Sequence, residues 1–181
     1  MLNCQIGQKA PLFELVGIFP DGSLHQIALQ NNIDARKWTV VIFYPKDFTR
    51  ICPTEITAIS DRYDEFEDLN SNVLGISMDP IDTHEKWMNT PRIENGVSGL
   101  AFPLCSDIDA AVTKSFGVFN SAEQLPFRAM FIVNPYGEIQ YMTVFHNNIG
   151  RDVDETLRVL QALQTGGLCP ANWKPGFEVF S

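Results

Sequence analysis

One short stretch carries the residue types for thiol chemistry. In FTRICPTE (48–55), Cys52 stands directly before Pro53, and Glu55 follows three residues after the cysteine. Proline is favoured at the first helical position, where its missing N–H would be unpaired anyway. Pro53 therefore marks a helix start, with Cys52 at or next to the cap and Glu55 where a capping-box glutamate belongs. A helix start offers unpaired N–H groups and the positive end of the helix dipole. Both favour a thiolate over a thiol, and the thiolate is the nucleophile. Lys46 and Arg50 bring cations to the segment entering the helix, and Thr49 offers a hydroxyl three residues before Cys52. The bland alternative is a small apolar residue tucked under a helix.

Other residues bear on the same chemistry. Arg128 lies within an apolar stretch, PFRAMFIVN, where an arginine without a partner would be costly, so it is expected to serve a site. Cys4, Cys105 and Cys169 are scattered, with no CxxC and no Cys/His pair at zinc-ligand spacing. Cys105 reads as packing and Cys4 as incidental. Cys169 taken alone reads as a tail cysteine. In a cytosolic chain such thiols rest reduced, so a disulfide here would be catalytic rather than structural.

The elements that must position these residues are legible in outline. WTVVIFYP (38–45), NVLGISMD (72–79) and FRAMFIVN (127–134) are β-rich apolar runs that read as central strands covered on both faces. NPYG then signals a turn into EIQYMTVF (138–145), which predicts a hairpin. Apolar residues recur at helical spacing from 53 to 69, and shorter helices are predicted over 83–90 and 108–116. In 151–164, Val153, Leu157, Leu160 and Leu163 form a stripe, with Asp152 and Glu155 as a capping box. Alternating strands and helices predict an α/β fold. The acidic run DEFED (64–68) reads as a solvated helix face, although it would lie where the dipole of a single 53–69 helix disfavours it.

The 181 residues suffice for one domain with a sizeable core, and 45% of them are hydrophobic. A net charge of −9 argues against nucleic acid or an anionic membrane as partner. MLNCQIGQKAPLF shows neither the basic start nor the apolar core of a signal peptide, and no apolar run approaches the roughly 20 residues of a membrane span. A cytoplasmic location is expected.

FYPKDFTRICPTEI (43–56) resembles the active-site stretch of the two-cysteine peroxiredoxins, the family that includes the peroxidase subunit of bacterial alkyl hydroperoxide reductase. SDRYDEFEDLNSNVLGISMD, THEKWMNTPR, PFRAMFIVNPYGEI, IGRDVDETLRVLQALQ and CPANWKPG resemble that family's segments in the same order, covering essentially the whole chain. The resemblance implies a thioredoxin-like fold, a central mixed sheet flanked by helices over residues 1–165. A tail over 166–181 carries the resolving cysteine. It implies that Cys52 is the peroxidatic cysteine and Cys169 the resolving one, supplied by the partner subunit. Thr49 would hydrogen-bond the peroxide, Pro45 would shield the site, and Arg128 would pair with the thiolate and the peroxide oxygens. Arg151 and Glu55 would orient Arg128. His84 and Trp87 would serve packing and interfaces, while His25 and His146 read as surface residues.

The implied activity is reduction of hydrogen peroxide and alkyl hydroperoxides without metal, flavin or haem. Thioredoxin or a dedicated flavoprotein disulfide reductase would recycle the thiols, and homodimers would assemble into a decamer. Two departures stand out. Sensitive members carry a Gly-Gly-Leu-Gly stretch and a C-terminal Tyr-Phe helix; here residues 94–102 read ENGVSGLAF and the chain given ends twelve residues after Cys169. Fast resolution and resistance to overoxidation are expected from that. Arg50 and Ile51 occupy positions usually apolar or aromatic. The competing reading is a redox sensor or chaperone-like assembly with incidental turnover. A thioredoxin-type reductase is disfavoured by the missing CxxC.

Overall fold

The computed structural model describes residues 4–180. A seven-stranded mixed sheet runs in the order β2-β1-β5-β4-β3-β8-β9. β3 (Trp38–Phe43), β4 (Ser71–Ser77) and β5 (Leu104–Ser106) are parallel; β1 (Glu14–Ile18), β2 (Leu24–Ala28), β8 (Arg128–Val133) and β9 (Ile139–Phe145) complete it through antiparallel pairings. The three apolar runs are therefore the central strands, and the expected hairpin is β8–β9.

Side chains alternate across a strand. Val40, Ile42 and Tyr44 join a core on one face with Ile56, Ile59, Trp87, Leu157 and Leu160. Val41 and Phe43 join a core on the other face with Leu29, Phe131 and Phe116. Two covered faces explain why β3 reads as an unbroken apolar run. Phe116 fixes the second core, its ring centroid 5.1 Å from that of Phe43 and 4.9 Å from that of Phe131. The β1–β2 hairpin, the short helix α1 (Leu29–Asp34) and the two-residue strands β6 (Phe119–Asn120) and β7 (Leu125–Pro126) carry too few periodic residues to show in the sequence.

The helix expected over 53–69 is two helices, α2 (Cys52–Ser60) and α3 (Tyr63–Asp68). The ladder tightens at the junction, where Arg62 N–H reaches back only to the Ile59 carbonyl at 3.1 Å. The junction is tied to the 92–101 segment. Ser60 Oγ accepts from the Ala101 N–H at 2.9 Å, and Arg92 pairs with Asp61 at 2.8 Å. The break accounts for the first half of the acidic run, while Glu67 and Asp68 still fall in the last turn of α3. Asp64 and Glu65 lie in the first turn of α3, where the dipole favours them, and stay exposed.

The other helices are α4 (Ile81–Asn89), α5 (Ala111–Ser115) and α6 (Val153–Thr165). α5 starts later than the sequence suggests. The Asp107 carboxylate accepts from the N–H groups of Val112 and Thr113 and from the Thr113 hydroxyl, and Ala110 takes a left-handed turn at φ 59° to allow it. At α6, Asp152 accepts from the Glu155 N–H at 3.0 Å as expected. The Glu155 carboxylate turns to Arg158 instead of closing the box. Residues beyond α6 fold back, with Leu168 and Phe180 bridged and Trp173 buried under an Arg158–Trp173 carbonyl bond of 3.1 Å.

Cys105 is fully buried on β5, and burial pushes its thiol up from 9.0 to about 12. Burial likewise holds the Tyr44 hydroxyl well above its ordinary range. The folded chain keeps the Cys105 proton where the unfolded chain releases it, so its stabilisation is complete below pH 9 and lost as pH rises toward 12, and Tyr44 acts in the same direction. We expect the urea midpoint to fall through this window and to fall less steeply in Cys105→Ala; an equal slope in both proteins contradicts this assignment.

Candidate active site

α2 begins at Cys52 with Pro53 second, so the thiol belongs to the first helical turn. Its sulphur is buried, and Arg128 Nη1 donates to it at 3.4 Å. Glu55 does not cap the helix. Its side chain turns inward, where it meets Arg128 Nη1 through Oε2 and Arg151 through both oxygens, with Arg151 Nε at 2.9 Å and Nη2 at 3.0 Å. Its Oε1 also accepts the Arg151 main-chain N–H at 2.7 Å. Arg151 in turn donates to the carbonyls of Phe43 on β3 and Ala129 on β8, both at 2.8 Å.

The three charged side chains are almost completely excluded from solvent, at 3% exposure or less. Two guanidinium groups face one carboxylate, so the cluster carries an uncompensated positive charge directed at the Cys52 sulphur. Burial works against the charge of Arg128, but the neighbouring Cys52 and Glu55 outweigh it and hold its pKa above the ordinary value. Burial and the neighbouring Arg128 lower that of Arg151, with Glu55 opposing them.

Beside Arg128, whose Nη1 reaches Cys52, lies a hollow of about 220 Å³, lined by Pro45, Thr49, Arg50 and Ile51 and by Glu123, Arg128 and Asn147. Pro45 is buried. The Thr49 hydroxyl donates to the Lys46 carbonyl at 3.1 Å rather than to Cys52. Lys46 and Arg50 stand exposed in the entering loop, and the cation that meets the sulphur is Arg128. This loop is pinned from behind. Tyr44 donates to Asp47 at 2.8 Å, His84 Nδ1 lies 2.7 Å from Asp47, and the Asp47 N–H donates to Asp79 at 2.9 Å. Burial raises the Asp47 carboxyl above its ordinary value against the pull of His84. Phe48 sits in the left-handed region at φ 55°, a strained conformation for a bulky residue.

The expected site residues Cys52, Arg128, Thr49 and Pro45 come together, with Glu55 and Arg151 behind them. Cys169 does not join them. Half-exposed, it packs against the far end of α6, its sulphur 3.7 Å from the Ala162 carbonyl and 3.6 Å from Thr165 Oγ1. Cys4 and Cys105 are buried elsewhere with thiols raised by burial. His84 is fully buried within the loop support; His25 and His146 are exposed. Sequence reasoning missed Glu123, Asn147 and Asp47, which sit in turns where no periodic signal marks them.

Comparison with known proteins points to one family. The sequence pattern of the AhpC/TSA family matches residues 6–142. YkuU, a provisionally named peroxiredoxin of Bacillus subtilis (strain 168), is 57% identical over 176 residues, which is 97% of this chain and 98% of that protein. The chloroplastic 2-Cys peroxiredoxin BAS1 of Spinacia oleracea is 46% identical over 94% of this chain and 65% of its own length. The crystal structure of reduced Plasmodium vivax 2-Cys peroxiredoxin superposes with a TM-score of 0.93 at 35% identity, covering 96% of this chain and 91% of that one.

The thioredoxin-like sheet and these relatives define a thiol-dependent peroxidase. The chain belongs to the AhpC/TSA family, among the typical two-cysteine peroxiredoxins.

Removing Glu55 leaves two buried guanidinium groups without their carboxylate. Breaking a buried ion pair from one side typically costs about 3–5 kcal/mol. Glu55→Ala is expected to lose stability on that scale in denaturant unfolding, and a midpoint equal to wild type contradicts the role assigned to the cluster.

Proposed function

We propose that Cys52 is the sulphur that attacks hydrogen peroxide and alkyl hydroperoxides. The observation that carries this is Arg128 Nη1, 3.4 Å from Cys52 and held from behind by Glu55. The thiolate attacks one peroxide oxygen, the S–O bond forms as the O–O bond breaks, and water or an alcohol leaves with a proton. Arg128 stabilises the charge passing to the leaving oxygen. Thr49, at the mouth of the hollow, hydrogen-bonds the peroxide, and Pro45 shields the sulphur from bulk water.

Cys169 then attacks the Cys52 sulfenic acid, an S–S bond forms and water leaves. Within one chain the pair is far apart. Arg151, just before α6, touches Glu55, whereas Cys169 touches Ala162 and Thr165 at the other end of that helix. The thirteen residues of α6 rise about 20 Å at 1.5 Å each. This separation supports a resolving thiol supplied by the partner subunit of a homodimer, and dimers assembling into a decamer. Residues 1–165 are then the peroxidase domain and 166–181 the arm that presents Cys169. Thioredoxin or a flavoprotein disulfide reductase supplies the two electrons that restore the thiols, in the cytoplasm. Among the described residues no helix is long and apolar enough to cross a membrane.

One equivalent of hydrogen peroxide should convert the wild type to a disulfide-linked dimer on a non-reducing gel. Cys52→Ser and Cys169→Ser should both stay monomeric, and Cys52→Ser should consume no peroxide. A wild type that oxidises Cys52 but stays monomeric removes Cys169 from the cycle and favours the sensor reading.

A further inference from the structure

We infer that Asn147 is a positioning residue for the peroxide step, acting with Glu123 as a clamp on Arg128. This rests on the reading of Cys52 as the attacking thiol and Arg128 as the guanidinium that meets the peroxide. Asn147 Oδ1 accepts the Arg128 main-chain N–H at 3.0 Å, and the Asn147 carbonyl accepts from Arg128 Nη2 at 3.0 Å. One residue therefore grips Arg128 at its backbone and at its guanidinium tip.

The grip matters because of where Arg128 stands. It is the first residue of β8, opposite Phe145, the last residue of β9, so the strand ladder ends there. Its Nε has no hydrogen-bond partner. Without Asn147 the guanidinium would be steered only from the Glu55 side, and Glu55 is shared with Arg151. With Nη2 held by Asn147, the planar fork has one orientation, and that orientation aims Nη1 at the sulphur.

Glu123 decides which way the Asn147 amide points. A carboxylate only accepts, so its Oε2, 2.9 Å from Asn147, takes the Nδ2 end. Oδ1 is then left facing the Arg128 N–H; the flipped amide would set donor against donor. Glu123 itself is held by its turn, where Asn120 Oδ1 accepts from the N–H groups of Ala122 at 3.1 Å and Glu123 at 3.4 Å. The turn between β6 and β7 thus reaches the sulphur through Glu123, Asn147 and Arg128 in series.

The test is steady-state turnover of hydrogen peroxide with saturating dithiothreitol as reductant, on wild type, Asn147→Ala, Glu123→Gln and Glu123→Lys. Asn147→Ala keeps the carbonyl that accepts from Nη2, but it loses the Oδ1 bond to the Arg128 N–H and the tie to Glu123 that set where that carbonyl stands. Misplacing Arg128 slows only the peroxide step, so the variant should raise the peroxide KM roughly tenfold while kcat, set by recycling, holds within about twofold. Glu123→Gln keeps an acceptor and should match wild type. Glu123→Lys puts a donor against Nδ2 and should move KM in the same direction as Asn147→Ala. An Asn147→Ala protein with wild-type KM, or one that loses kcat and melting temperature together, overturns the inference. A wild type that turns over no peroxide overturns the peroxidase reading itself, and this inference falls with it.

Discussion

One carboxylate holds the site together. Glu55 is buried between Arg128 and Arg151, and through Arg151 it reaches the carbonyls of β3 and β8. Buried charges are tolerated only when paired and hydrogen-bonded. The start of α2 therefore cannot move relative to the sheet without exposing or orphaning charge. That constraint sets the position of Cys52, three residues before Glu55 on the same helix. The charge count of two cations to one anion is then completed when the sulphur carries the second negative charge.

The loop over the sulphur is held by a second, separate set of bonds. Tyr44, Asp47, His84, Asp79 and Ser77 form a buried chain of hydrogen bonds beneath it, with Ser77 Oγ donating to Asp79 at 2.7 Å. Phe48 is strained within that loop, and its ring lies against Trp87 and under the Lys86 ammonium. Strain of this kind costs about 1–3 kcal/mol and persists only where the surroundings impose it. The loop is thus ordered by its supports rather than by its own backbone preference. Such a segment can open locally at lower cost than the core beneath it.

The arm beyond α6 is built differently. Trp173 is buried and anchored, but Leu168, Phe177 and Phe180 remain largely exposed. Its cysteine touches only weak sulphur partners at the end of α6. Little of its own packing opposes a departure from this position, in contrast to the paired charges that fix Cys52.

Much of this was legible in the sequence. The central strands, the β8–β9 hairpin and α6 follow from apolar periodicity, because two covered faces and one amphipathic stripe leave strong patterns. Cys52 before Pro53 marked the start of α2, because Pro is tolerated only in the first turn. The family resemblance supplied the expected roles of Thr49, Pro45 and Arg128, and it linked Arg151 and Glu55 to Arg128.

Tertiary structure decided the rest. Local pattern read Glu55 as a cap, yet its carboxylate leaves the helix end for two arginines 73 and 96 residues away, so the expected link to Arg128 displaces the capping box. The helix over 53–69 breaks because Ser60 and Asp61 are tied to residues near 92 and 101, which no local pattern reveals. Asn147 and Glu123 sit in turns without periodicity, and only the fold brings them to Arg128. Local pattern fixes what depends on neighbours along the chain; charge pairing across distant segments depends on the assembled sheet.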